Sequence, residues 1–181
     1  HVTVMPPGVD LERWSPKERW DKPKDDVCNL LFVGGDFERK GGDLLLEWAR
    51  KTKRGNFRLH IVTRKELSGI GDERVRVYNG LMPNDPALIE LYDSADVFVL
   101  PTRADCYSLA GIEAMASGLP VVLSKTGGTG DIVRSGETGY MIEPNSLHSL
   151  NESLEKLLES PELQEKMGRA ARADAEARYN G

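Results

Sequence analysis

Val97-Phe98-Val99-Leu100-Pro101, followed by Asp105-Cys106-Tyr107-Ser108-Leu109-Ala110-Gly111-Ile112-Glu113 and Ala114-Met115-Ala116-Ser117-Gly118-Leu119-Pro120-Val121-Val122, decides the fold. The first run is apolar and closed by a proline, so it reads as a buried strand. Small and apolar residues then follow a helical pattern from Ser108, Gly118 stops the helix, and a second apolar run begins. Strand, loop, helix, strand is a βαβ unit. In open parallel sheets a ligand sits beyond the carboxyl ends of the strands, where helix N-termini aim unpaired N–H groups. Such an end favours an anion, so the carboxylates Asp105 and Glu113 at this junction need a separate reason. They suit the hydroxyls of a ligand whose phosphates take the N–H groups.

Working outward, Leu30-Leu31-Phe32-Val33 is the first buried strand, and Gly34-Gly35 ends it. The loop Asp36 to Gly42 precedes Asp43, which the sequence predicts as N-cap of a helix from Leu44 to Lys53. Phe57 to Val62 and Val75 to Tyr78 are the second and third strands, and Pro86 to Ser94 is a short helix begun by proline. After the strand at Val97 and the helix at Ser108 come a strand at Leu119 to Leu123, a glycine-rich turn at Gly127 leading into a short helix, and a strand at Thr138 to Ile142. From Ser146 onward the chain is helical, with Ser160-Pro161 dividing it in two. Residues 1–26 carry Pro6, Pro7, Pro16 and Pro23 and read as extended or irregular, either a surface arm or a linker. There is no internal repeat.

The 181 residues suffice for one domain with a sizeable core. With 39% hydrophobic and 29% charged residues the composition is that of a globular protein, and a net charge of -5 argues against nucleic-acid binding. No apolar run approaches the roughly 18 residues of a membrane span. Cys28 and Cys106 are too few for a disulfide framework, so a reducing compartment is the default. The start at His1-Val2-Thr3-Val4, with no signal peptide, reads as the middle of a longer protein. His1, His60 and His148 fit no metal spacing, no Asp-x-Asp pair occurs, and G-x-G-x-x-G and P-loop patterns are absent.

Proline, a few residues, an acid, seven residues, then Glu113-Ala114-Met115-Ala116-x-Gly118-x-Pro120-Val121-Val122 resembles the signature of group 1 retaining glycosyltransferases of the GT-B fold. Sucrose synthases, bacterial glycogen synthases and lipopolysaccharide sugar transferases are similar. The family usually has Glu at both ends of that spacing. Here Asp105 holds the first position, one methylene shorter, and Cys106 replaces a usual glycine. Lys40-Gly41 matches the family's "GR…K-G" loop, but Gly35 stands where the arginine belongs. Asn79-Gly80-Leu81 matches its base-binding region, Gly127-Gly128 with Asp131 resembles its "GG…E-I-V", and Met5 to Trp14 resembles its interdomain linker.

The resemblance implies a doubly wound, Rossmann-like α/β domain, the C-terminal half of a GT-B fold. Its parallel sheet would have about six strands with helices on both faces. Residues 1–26 would be linker and 27–181 the donor-binding domain, with the N-terminal acceptor domain outside this chain. Lys40, Asp105 and Glu113 would form the catalytic set: Lys40 on the diphosphate, Asp105 facing the donor sugar, Glu113 on the ribose hydroxyls. Gly34 and Gly35 would line the diphosphate, with Tyr107, Ser108, Leu109 and Ala110 offering backbone N–H groups to it. Asn79, Gly80 and Leu81 would meet the base. The donor would be a UDP-, GDP- or ADP-linked hexose, with no metal or other cofactor, and the acceptor a sugar or lipid. A cytoplasmic location follows, with peripheral membrane association of the full-length protein open. Arg39, Arg64 and Arg103 are candidates to replace the missing arginine. Two other classes stay open, a non-catalytic nucleotide-sugar binding module and a nucleotide-sugar epimerase. A nicotinamide dehydrogenase lacks its fingerprint glycines.

Overall fold

The computed structural model describes residues 6–181. His1 to Met5 lie outside the described residues, and with them the start of the linker motif. Six strands form one parallel sheet: Cys28–Val33 (β1), Phe57–Val62 (β2), Val75–Tyr78 (β3), Val97–Leu100 (β4), Val121–Ser124 (β5) and Gly139–Ile142 (β6). Their order is β3-β2-β1-β4-β5-β6. A parallel sheet covered on both faces needs continuous apolar strands. Every residue of β4 and β5 is accordingly buried, whereas β3, at one edge, has no fully buried residue.

Five helices cover the sheet: Gly42–Lys51 (α1), Pro86–Ser94 (α2), Leu109–Ala116 (α3), Leu147–Glu159 (α4) and Pro161–Arg178 (α5). The β1–α1–β2 crossover runs one way across the sheet and β4–α3–β5 the other. Right-handed connections therefore set α1 and α3 on opposite faces. α4 packs against α1, and α5 against α3. Residues 6–27 form no helix or strand but are not a loose arm. Trp14 is buried edge-on to Tyr92 with ring centroids 4.8 Å apart, and Arg19 donates to the carbonyls of Ser117, Ala95 and Tyr92.

Several boundaries differ from the sequence reading: β1 begins two residues earlier, at Cys28, β6 one later, at Gly139, and α1 ends at Lys51 rather than Lys53. Asp43 is not an N-cap. The helix α1 begins at Gly42 with Gly41 as its cap at φ 81°, and Asp43 lies inside the first turn. The reason is tertiary: a Cβ on Gly41 would sit 1.9 Å from the carbonyl oxygen of Pro101, so only glycine lets the β1–α1 turn press on the end of β4. β5 starts at Val121 rather than Leu119, because the Leu119 N–H donates to Ala114 O at 3.0 Å and closes α3. The turn at Gly127 is itself a 3₁₀ helix, Gly127–Asp131, whose Thr126 and Thr129 cap each other.

Gly41→Ala combines left-handed backbone strain with that clash. It should destabilise the chain by about 2–4 kcal/mol, read as a lower midpoint in urea. An unchanged midpoint would mean that the turn can withdraw from β4 without cost.

Candidate functional site

The strand order reverses between β1 and β4, where the connections leave in opposite directions; in open parallel sheets this is the place for a ligand crevice beyond the carboxyl ends. Two loops form its walls, Gly34–Gly41 after β1 and Pro101–Ser108 after β4. They are stitched together by the Arg103 N–H on Arg39 O at 2.8 Å, the Thr102 hydroxyl on the same carbonyl at 3.3 Å, and Arg39 Nη1 on Ala104 O at 3.0 Å. Arg103 forks onto both oxygens of Asp43, at 2.6 and 2.9 Å, and so ties the first turn of α1 to the same seam. From below, Gly128 N–H donates to Cys106 O at 3.0 Å, and a Cβ on Gly127 would strike the Asp105 carbonyl. The Gly127-Gly128 turn is therefore a floor under the Asp105 loop.

This stitching brings Lys40 and Asp105 together, 65 residues apart in the chain: Lys40 Nζ lies 2.5 Å from Asp105 Oδ2. Their side chains are only 18% and 8% exposed. The sequence placed both at one site; that they contact one another is a finding of the fold. Beside them Ser108 is buried and caps α3 by accepting from Gly111 N–H at 3.0 Å. The amides of Leu109 and Ala110, the first two residues of α3, have no acceptor among the described residues. Tyr107 is half-buried, and its hydroxyl donates to that of Tyr179 at 3.2 Å.

Glu113 lies in the second turn of α3, not at its tip. The buried Tyr92 of α2 donates to its Oε2 at 3.4 Å. Burial pushes the Glu113 carboxyl up to about 7, and the Tyr92 hydrogen bond opposes this only in part. A carboxyl so desolvated, with one weak donor, has spare capacity to accept hydroxyl donors. Asn79 is engaged otherwise: its side-chain amide donates to Thr63 O at 2.9 Å and Lys65 O at 2.8 Å. Gly80 has φ 77° and open space around it, and Leu81 is partly buried against the core.

Sequence reasoning missed Tyr92 and the holding role of Asn79, and it named Arg64 only as one of three candidate arginines. Nothing local marks a tyrosine of α2 as a partner of Glu113, or one arginine after a strand above two others. Among the described residues no three His, Cys, Asp or Glu side chains are grouped to hold a metal. Cavities of about 240 and 370 Å³ lie elsewhere, one beside Arg19, Asn29 and Asp96, the other between α1 and α4 beside Trp48 and His148. Neither includes Lys40, Asp105 or Glu113.

The sequence profile of the family Glycosyl transferases group 1 matches residues 13–174. The chain belongs to the group 1 glycosyltransferases. Among similar proteins, the D-inositol 3-phosphate glycosyltransferase of Arthrobacter sp. (strain FB24) is 29% identical over 97% of this chain and 46% of its own length. The sulfoquinovosyl transferase SQD2 of Arabidopsis thaliana is 38% identical over 93% of this chain and 35% of its own. HepE of Anabaena, solved in complex with UDP and glucose, superimposes with a TM-score of 0.81 at 19% identity, covering 98% of this chain and 53% of that one. This group 1 chain thus spans less than half the length of the curated relatives it matches. Its sheet is that of the C-terminal half of the GT-B fold. Among the described residues no helix is long and apolar enough to cross a membrane.

Proposed function

We propose that this chain is the donor-binding domain of a retaining glycosyltransferase that moves a hexose from a nucleoside-diphosphate sugar to an acceptor hydroxyl. The observation that carries the reading is the meeting of Lys40, Asp105 and the open N-terminus of α3 at the β1/β4 reversal. A diphosphate laid there has an ammonium on one side and the Leu109 and Ala110 amides on the other. Both are most favourable when charge builds on the leaving phosphate. On this reading the nucleotide's phosphates draw Lys40 away from Asp105. That leaves the Asp105 carboxylate to accept from the donor sugar's hydroxyls, and Glu113 accepts from the ribose. Reaction with retention follows if the acceptor attacks from the face the diphosphate leaves, so the work is electrostatic and positional. No step needs a metal. The acceptor, sugar or lipid, would be held by a further domain across the crevice, and the whole would work in the cytoplasm or at its membrane surface.

The test is a calorimetric titration of this chain with UDP, GDP and ADP and with their glucose and mannose derivatives. One nucleotide should bind, with no sugar transfer by the chain alone. Failure of all three at millimolar concentration, or transfer by this chain alone, would overturn the reading.

One observation favours a second reading, a binding module without catalysis. Lys40 is neutralised by Asp105 at 2.5 Å, and Gly35 supplies no second cation from its own position. Sugar transfer on addition of an acceptor domain would exclude it.

A further inference from the structure

We propose that Arg64 is the diphosphate-binding arginine of this site, delivered from the end of β2 into the space that Gly35 leaves empty. The inference rests on the donor-binding reading above. A Cβ on Gly35 would lie 2.8 Å from Arg64 Nε and 3.2 Å from its Cζ, so the guanidinium already occupies the room a side chain there would need. The neighbouring Gly34 does the same for Lys40, whose Cβ would be 2.7 Å from a Cβ built on that glycine. Two adjacent positions without side chains, at the exit of β1, thus receive the stem of one cation and the head of another.

Arg64 is held there from both sides. Asn79 spends both amide hydrogens on the carbonyls of Thr63 and Lys65, the two residues flanking Arg64. The Thr63 hydroxyl donates to Gly35 O at 3.4 Å and fastens the β2 end to the same turn. The neighbouring cations have acidic partners: Arg39 with Asp36 at 3.2 Å, Arg103 with Asp43 at 2.6 Å, and Lys65 with Glu38. Arg64 forms no hydrogen bond or ion pair among the described residues; the carboxylate that feels its charge, Asp36, is already paired with Arg39. An exposed arginine without a partner is ordinary on a protein surface. One whose backbone is clamped on both sides, beside a vacated position and next to Lys40, is arranged for an anion that bridges two cations. A planar guanidinium fits two phosphate oxygens at once, which an ammonium does not.

The experiment is calorimetry on this chain, with UDP, GDP, ADP, inorganic pyrophosphate and the matching nucleosides as probes. Wild type is compared with Arg64→Ala, Lys40→Ala, Asn79→Ala and the exchange Arg64→Ala/Gly35→Arg. Arg64→Ala should weaken the diphosphates and pyrophosphate at least tenfold and leave the nucleosides unchanged. The exchange should recover most of that loss, and Asn79→Ala should show a smaller loss of the same kind. Unchanged diphosphate affinity in Arg64→Ala, with Lys40→Ala weakened, would overturn this inference and leave the donor reading standing. An equal loss for diphosphates and nucleosides would also overturn it, since that is collapse of the pocket. Absence of any diphosphate binding by wild type would overturn both.

Discussion

Lys40→Ala should weaken nucleoside-diphosphate binding by about 10- to 100-fold, the range expected for a lost charged hydrogen bond. It should also lower the melting temperature. The second effect follows from geometry alone. Asp105 has its carboxylate 8% exposed and Lys40 Nζ at 2.5 Å, so removing the lysine strands a charge that water barely reaches. Breaking one side of such a pair costs about 3 kcal/mol, which for a chain of this size is about 6–12 °C. The double variant Lys40→Ala/Asp105→Asn separates the two effects. It removes the stranded charge, so it should melt close to wild type while the diphosphate affinity stays low. A double variant that regains binding would place the phosphates elsewhere. A single variant that melts like wild type would mean the pair is screened by solvent after all.

Glu113→Gln is expected to act in opposite directions on stability and on binding. The carboxyl titrates near 4.5 when unfolded and near 7 here, because burial disfavours its charged form. A folded value raised above the unfolded one gives a contribution to stability that is complete below about pH 4.5 and is lost as pH rises through 7. Two and a half units correspond to a loss on the order of 3 kcal/mol across that window. Glutamine cannot ionise, so the variant should be more stable than wild type at pH 8 and similar at pH 4.5, as read from urea midpoints. Ribose hydroxyls prefer the carboxylate as acceptor, so nucleotide binding by wild type should tighten between pH 6 and 8. In Glu113→Gln it should be weaker and flat with pH. A site that costs stability to keep its function is a common trade. If Glu113→Gln binds nucleotide as wild type does, the ribose is held by some other group.

Much of this molecule could be read before its structure was known, and the reasons differ by element. β1, β2, β4 and the α4–α5 break carried their own local signals, namely apolar runs, a proline and serine caps. The start of α1 did not, because what fixes it is the approach of Gly41 to Pro101, a contact between residues 60 positions apart in number. For the same reason Asp43 looked like a cap: a short acid before an apolar run is a good local signal, but here tertiary packing had already set the cap two residues earlier, at Gly41. Within the site, the spacing of Asp105 and Glu113 was legible. Their partners were not. Lys40 reaches Asp105 and Tyr92 reaches Glu113 from other elements, and which of the three candidate arginines stands beside Gly35 is decided by a further one, the end of β2. Sequence spacing reports what one element presents, and a site at a strand-order reversal is assembled from several.

Gly35 and Arg64 are also coupled through space. A Cβ at residue 35 would meet the Arg64 guanidinium, so a larger residue 35 and the present seat of Arg64 require one of them to shift. Exchanging the arginine between β1's loop and β2's end passes through a chain with no guanidinium or one with two crowded together, so substitutions at the two positions are expected to be non-additive: the effect of each depends on the state of the other.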